Sequence, residues 1–129
     1  MATVSNFRKL DAWRAARRLV KDVYTFTDRF PDHERYCLTQ QMRRAVHSIH
    51  SNIAEGDGRL SAGEWIHFLG QARGSLMELE SDVISAFDLR YCDKEQTEQI
   101  GLKIRQVAQL VNGTLRSAMR KTFKTKKYG

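Results

Sequence analysis

Apolar side chains recur at alternating steps of three and four residues in four separate stretches of this chain. This spacing puts the apolar residues of each stretch on one side of an α-helix, whereas a strand would alternate apolar and polar residues. Pro31, the Gly56–Gly58 segment and the Tyr91–Asp93 segment separate the four stretches. The pattern therefore predicts four helices. The predicted core positions are Ala12, Ala16, Leu19, Val23, Phe26, Phe30, Leu38, Met42, Ala45, Ile49, Ile53, Trp65, Leu69, Ala72, Leu76, Leu79, Val83, Ala86, Ile100, Ile104, Val107, Val111, Thr114 and Ala118.

Residues typical of helix ends set the bounds of the first two helices. The first helix is predicted over about Asp11–Arg29 and the second over about His33–Glu55. Asp32 is placed to cap the N-terminus of the second helix, because an aspartate side chain accepts hydrogen bonds from first-turn N–H groups. Gly56 is placed to stop the same helix.

Capping boxes precede the other two helices. Ser61 is followed three residues later by Glu64, and Asp93 is followed at the same distance by Gln96. The fourth helix is predicted to end near Lys121. Long helices joined by short connections must turn back on their neighbours, so the predicted fold class is all-α, an antiparallel up-down-up-down four-helix bundle.

The length of 129 residues and the hydrophobic content of 41% suit one domain with one core. We predict that residues 1–121 form the bundle and residues 122–129 a basic C-terminal tail. No apolar run is long enough to span a bilayer, and the N-terminus lacks the apolar segment of a secretory leader. We therefore expect a cytoplasmic protein without membrane association, in which Cys37 and Cys92 are reduced.

Polar side chains flank the core stripes of helices two and three. In an antiparallel pair, facing positions have a nearly constant sum of residue numbers, and this rule pairs the polar side chains across the two helices. The predicted pairs are Gln41 with Asp82, Arg44 with Glu78, Ser48 with Ser75, and Asn52 with Gln71. The alternative is two separate polar edges that face the solvent.

Helix three carries more apolar surface than one core requires. Ile66, Met77, Ile84 and Tyr91 form a second stripe, and two helix-weakening glycines at positions 70 and 74 suggest the close approach of another element. We interpret this surface as a contact between copies of the chain. The alternative is a set of scattered surface apolar residues.

The net charge of +7 is unevenly distributed. Residues 1–30 carry +4, residues 31–98 carry −5, and residues 99–129 carry +8 without any acidic residue. Because the first and last helices of such a bundle are neighbours, we predict one basic surface that binds RNA or DNA through phosphates. Its predicted residues are Arg14, Arg17, Arg18, Lys21, Lys103, Arg105, Arg116, Arg120, Lys121 and Lys124, with Phe123 and Tyr128 as stacking groups.

Other functions are less well supported by the sequence. The basic surface could instead serve solubility, or recognise an acidic or helical protein partner as an interaction scaffold. His47 and His50 are three residues apart, but no third ligand at helical spacing completes a metal site. The sequence contains none of the common catalytic or cofactor-binding motifs, so we expect a non-enzymatic protein without a cofactor.

Three segments resemble those of a known family, namely residues 41–45 (QMRRA), 52–56 (NIAEG) and 74–80 (GSLMELE). Together with the opening residues 7–13 (FRKLDAW), they are similar to the bacterial four-helix-bundle family named for proteins encoded in 23S ribosomal RNA intervening sequences. The resemblance implies a small cytosolic bundle, a ring-like homopentamer and no established enzymatic activity. It also implies a conformational role for the polar positions Gln41, Arg44, Asn52, Glu55, Ser75 and Glu78.

Overall fold

The four predicted helices are present in the computed structural model, which describes residues 6–128 and their side chains as far as Thr122. Each helix packs against the next, and the fourth returns to pack against the first, which confirms the helical bundle. Two short 3-10 turns, Phe7–Lys9 and Asp32–Glu34, precede the first two helices. The helices are α1 (Asp11–Asp28), α2 (Leu38–Asp57), α3 (Ala62–Asp88) and α4 (Lys94–Tyr128).

The predicted apolar stripes form the core. Leu19 of α1, Ile49 of α2, Leu69 of α3 and Ile104 of α4 are each at most 1% exposed. Burying one such side chain contributes roughly 1.5–3 kcal/mol, so these stripes supply the main force that holds the helices together. Every predicted core position is buried except three, which are half-buried: Leu38, Trp65 and Thr114.

The second helix begins later than predicted. Asp32 lies in a 3-10 turn, and the first residue of α2, Leu38, donates its N–H to the Glu34 carboxylate at 3.3 Å. Tyr91 Oη donates to the same carboxylate at 2.6 Å, and these two bonds lower the pKa of Glu34. Glu34 therefore replaces Asp32 at the start of α2. The prediction that Tyr91 belongs to the second apolar stripe of helix three was wrong, because α3 ends at Asp88 and Tyr91 is half-buried beyond it.

Gly56 lies inside α2 and is buried, and Gly58 is the residue that follows the helix. A Cβ atom at position 56 would lie 2.7 Å from Phe68 Cβ and 2.7 Å from Trp65 Cε3. The glycine therefore allows α2 and α3 to approach closely beside their connection. In contrast, a Cβ atom at Gly70 would meet nothing within 4 Å, and the same holds at position 74. Within one chain, the close approach predicted at positions 70 and 74 does not occur.

The predicted capping box of α4 is confirmed, and that of α3 forms in part, because Glu64 accepts the Ser61 hydroxyl and not the Ser61 backbone N–H. Ser61 Oγ accepts the Glu64 N–H at 3.1 Å. Asp93 Oδ1 accepts the Gln96 N–H at 2.8 Å, and Gln96 Oε1 accepts the Asp93 N–H at 2.9 Å. These bonds satisfy N–H groups that have no partner within the helix.

The fourth helix extends further than the sequence analysis predicted. It continues past Lys121 to Tyr128, so the segment predicted as a tail is helical over residues 122–128. Residues 114–128 contain neither proline nor glycine, which leaves no residue that would stop the helix. Neither α4 nor any other helix within residues 6–128 is both long and apolar enough to cross a membrane.

Candidate nucleic-acid interface

A groove of about 1380 Å³ runs between α1 and α4, and we call it the α1–α4 groove. The two helices are neighbours because the chain returns to its first helix after three connections. The groove is lined by Phe7, Arg8, Trp13, Arg14, Ala15, Arg17, Arg18, Leu19, Lys21, Asp22, Lys103, Gln106, Val107 and Leu110.

The lining of the α1–α4 groove is strongly basic. Six of its side chains are cationic, and Asp22 is the one acidic residue among the described residues that line it. Five of the cationic residues were predicted from the sequence, and Arg8 was not. The predicted residues that the structure brings together here are Arg14, Arg17, Arg18, Lys21 and Lys103.

The other predicted basic residues whose side chains the structure describes do not line the groove. Two positions along a helix rotate a side chain by about 200°, so Arg105 lies on the opposite side of α4 from Lys103. Arg116, Arg120 and Lys121 are exposed on α4 but are also absent from the groove lining. The remaining predicted residues, Phe123, Lys124 and Tyr128, lie beyond the last described side chain.

Contacts within the chain engage some of the cationic side chains of the groove. Lys103 Nζ donates to Asp22 Oδ1 at 3.0 Å and so joins α4 to α1. Arg14 Nε donates to the Arg8 carbonyl oxygen at 2.8 Å. Within the described residues, neither Arg18 nor Lys21 forms a hydrogen bond or an ion pair, and both are exposed. These two side chains present full charges to a ligand.

An aromatic pair contributes to the lining of the groove. The rings of Phe7 and Trp13 meet edge to face with centroids 5.0 Å apart, and the Arg17 guanidinium lies 5.7 Å from the Trp13 ring. Trp13 Nε1 is buried and has no hydrogen-bond partner among the described residues. Neither aromatic residue was predicted from the sequence as part of this surface. The residue pattern WRAARR from position 13, in which an aromatic residue adjoins several arginines, is the feature that points to Trp13.

His47 and His50 lie side by side on α2, with ring centroids 5.7 Å apart. Burial lowers the pKa of His50, and the positive charges of His47 and Arg17 lower it further. His47 Nε2 is 2.9 Å from Tyr24 Oη. No three His, Cys, Asp or Glu side chains in the described part of the chain converge in a way that would hold a metal ion.

The predicted pairing between α2 and α3 holds for two of the four pairs. Gln41 Nε2 donates to Asp82 Oδ1 at 2.7 Å, and the hydroxyls of Ser48 and Ser75 are 2.6 Å apart. The paired residues are 41 and 27 positions apart in sequence, so both contacts join one helix to the next. They fix the register of the two helices in the way that the constant residue sum predicted.

The other two predicted pairs do not form hydrogen bonds. Asn52 Nδ2 donates to the Ser48 carbonyl oxygen of its own helix at 2.8 Å, so the predicted bond from Asn52 to Gln71 was wrong. Arg44 and Glu78 line a common pocket of about 500 Å³, but no ion pair joins these two described side chains. The further motif residue Glu55 is paired with Arg59, which follows α2, and its carboxylate is 2.6 Å from Arg59 Nη2.

Asp82 is buried between α2 and α3, and its Oδ2 atom has no hydrogen-bond partner among the described residues. Burial raises the pKa of Asp82, and the nearby charge of Glu78 raises it further. The ionised side chain is therefore less favourable in the folded chain than in the unfolded chain. Its contribution to stability is full below the ordinary pKa of an aspartate and is lost as the pH rises through the raised pKa.

We expect Asp82→Asn to change the pH dependence of stability. As the pH falls from about 7 to about 4, the wild-type chain should gain stability relative to the variant, because only the wild type takes up this proton. Urea unfolding of both chains across this range measures the difference. Glu78→Gln should reduce the gain, since it removes a neighbouring negative charge. If the free energy of unfolding changed with pH in the same way in the wild type and in Asp82→Asn, the expectation would be contradicted.

The chain matches the model of a protein family, and its fold is similar to that of a solved structure. The model of the family described as 23S rRNA-intervening sequence protein matches residues 8–113. The chain is also similar to a crystal structure from Bacteroides thetaiotaomicron, described as a protein of unknown function from the S23 ribosomal protein family. The TM-score is 0.72 at 20% identity, and the match covers 81% of this chain and 97% of that chain. No curated protein matches the chain.

Proposed function

The chain belongs to the 23S rRNA-intervening sequence protein family, and we propose that it binds the phosphate backbone of nucleic acid in the α1–α4 groove. The observation that carries this proposal is the convergence of six cationic side chains in one groove that contains a single described acid. Phosphate contacts release bound counterions, and they need no base-specific hydrogen bonds. The proposed role is therefore sequence-independent binding without catalysis.

Arg18 and Lys21 are the residues that we expect to contribute most to the affinity for nucleic acid. Neither side chain has a partner among the described residues, so a phosphate would not compete with an internal ion pair. Lys103 differs, because a ligand must compete with Asp22 for its ammonium group. Arg14 is also partly engaged by Asp11, which lies 3.9 Å away. Removing the two unpaired charges should therefore weaken binding most for the least structural cost.

We also propose that the chain forms a homo-oligomer through the outer surface of α3. Met77 is 61% exposed and Ile84 is 56% exposed, and both lie on the side of α3 that carries the open glycine positions 70 and 74. Packing these residues against a second copy would remove apolar surface from water. Because α1 packs against α2 and α4 but not α3, this assembly leaves α1 free for a ligand. The subunit number implied by the family resemblance is five.

Charge reversal in the groove tests the proposed binding. We expect Arg18→Glu with Lys21→Glu to weaken binding of RNA or DNA by about 100-fold, because each charged contact contributes roughly 1.5 kcal/mol or more. The slope of log affinity against log salt should also fall by about two, one for each lost phosphate contact. Mobility shifts across a salt series measure both quantities.

The matched control reverses two charges outside the groove. Arg105→Glu with Arg116→Glu changes the net charge by the same amount, but these exposed residues lie on the other side of α4. We expect affinity to change far less in this variant. Equal losses would indicate attraction to the overall charge and would contradict the groove as the site. If the wild type binds no nucleic acid even at low salt, and a pull-down with it retains a protein partner after nuclease treatment, the protein is an interaction scaffold instead.

A further inference from the structure

We infer that the α1–α4 groove selects single-stranded nucleic acid and stacks an unpaired base against Phe7 and Trp13. This inference rests on the proposed function and names the class of ligand. The two rings line the groove next to Arg8 and Arg17, so an aromatic surface and the cationic surface are continuous. Single-strand-binding proteins combine a basic groove for the backbone with aromatic rings for the bases.

The position of Trp13 is not explained by a hydrogen bond in the fold. Its ring nitrogen is buried without an acceptor among the described residues, and leaving a buried donor unpaired is unfavourable. The rest of the side chain is half-buried and lines the groove. One part of the indole packs against the core and against His50, with ring centroids 6.3 Å apart. Because the nitrogen is buried, the part that remains exposed is apolar ring surface, which is the property that base stacking uses.

The aromatic pair also determines which form of nucleic acid fits. In a duplex each base is already stacked and paired, so its ring surface is not available to a side chain unless the base leaves the helix. A single strand presents its bases without that cost. The cationic side chains stand on both sides of the groove, with Lys21 on α1 and Lys103 on α4. A strand lying between them can contact both sides through its phosphates while one base reaches the rings.

An oligonucleotide without bases separates stacking from phosphate contact. The probes are a fluorescent oligothymidylate of about 12 residues, an abasic strand of equal length, and a duplex of equal length. We expect the full-length wild-type protein to bind oligothymidylate about tenfold more tightly than the abasic strand, as one stacked base predicts. It should also bind oligothymidylate more tightly than the duplex. Fluorescence anisotropy at fixed salt measures all three affinities.

Substitutions at the aromatic pair then connect this preference to the site. Trp13→Leu should bring the ratio of oligothymidylate to abasic affinity close to one, whereas Trp13→Phe should retain most of it. Phe7→Leu provides a second test outside the core. Each ratio compares two ligands on the same protein. A small loss of stability in a variant would therefore lower both affinities equally and leave the ratio unchanged.

The outcomes distinguish this inference from the proposal on which it rests. If the wild type binds the abasic strand and oligothymidylate equally, or if Trp13→Leu keeps the wild-type ratio, stacking is excluded while the groove still binds phosphate. Tighter binding of the duplex would likewise overturn the single-strand preference. If none of the three probes binds at low salt, the proposed function fails as well.

Discussion

Gly56→Ala is expected to destabilise the bundle by about 1–3 kcal/mol, the usual cost of forcing an extra carbon into a packed interior. The new methyl group would lie 2.7 Å from both Phe68 Cβ and Trp65 Cε3, which is closer than non-bonded carbon atoms approach. One of these neighbours sits at the base of its side chain, so a change of rotamer cannot remove the clash. The two helices must move apart, and contacts along α2 and α3 are lost. Thermal or urea unfolding measures the effect.

Gly63→Ala is the matched control. Gly63 is also helical, but a Cβ atom there would meet nothing within 4 Å. Alanine favours the helix by up to about 1 kcal/mol over glycine, so this variant should be as stable as the wild type or more stable. If Gly56→Ala were also as stable as the wild type or more stable, the close approach of α2 and α3 at this glycine would not limit the packing of the two helices.

Met77→Glu is expected to convert the proposed homo-oligomer into a monomer. The substituted side chain is largely exposed in the single chain, so the charge costs the folded monomer little. In an interface, the same carboxylate would lose its hydration without an assigned partner, which is strongly unfavourable. Light scattering coupled to size-exclusion chromatography measures the mass of the assembly, and circular dichroism verifies that the helices remain.

A control for this experiment places the same charge on another exposed apolar residue. Leu60 is fully exposed in the connection between α2 and α3, so Leu60→Glu should leave the mass of the assembly unchanged. A wild-type chain that is monomeric at micromolar concentrations would refute the oligomer. An unchanged mass in Met77→Glu would instead show that the subunits meet on a different surface.

The two proposed surfaces are compatible within one bundle. The ligand groove uses α1 and α4, while the proposed subunit contact uses the outer side of α3, whose core side faces the other helices. Assembly would therefore present one groove for each subunit. A long strand that reaches several grooves would bind more tightly than a short one, because the second contact becomes intramolecular.

The candidate site was only partly predictable from the sequence. Counting charges correctly identified α1 and α4 as the basic helices, because net charge requires no coordinates. It could not separate Lys103 from Arg105, since only the rotation of α4 about its axis decides which of the two faces α1. It also overlooked Phe7, which the 3-10 turn before α1 places beside the groove, and Trp13, whose place in the groove depends on how α1 packs against α4.

The sequence by itself determined the four helices, their core stripes and two of their caps. These features depend on residues three or four positions apart, so the helical period is enough to reveal them. Only the tertiary structure decided that Gly56 packs against α3, that Glu34 caps α2 with the support of Tyr91, and that Asn52 bonds within its own helix. Each of these contacts depends on the distance and rotation between elements. Side-chain spacing along one helix does not contain that information.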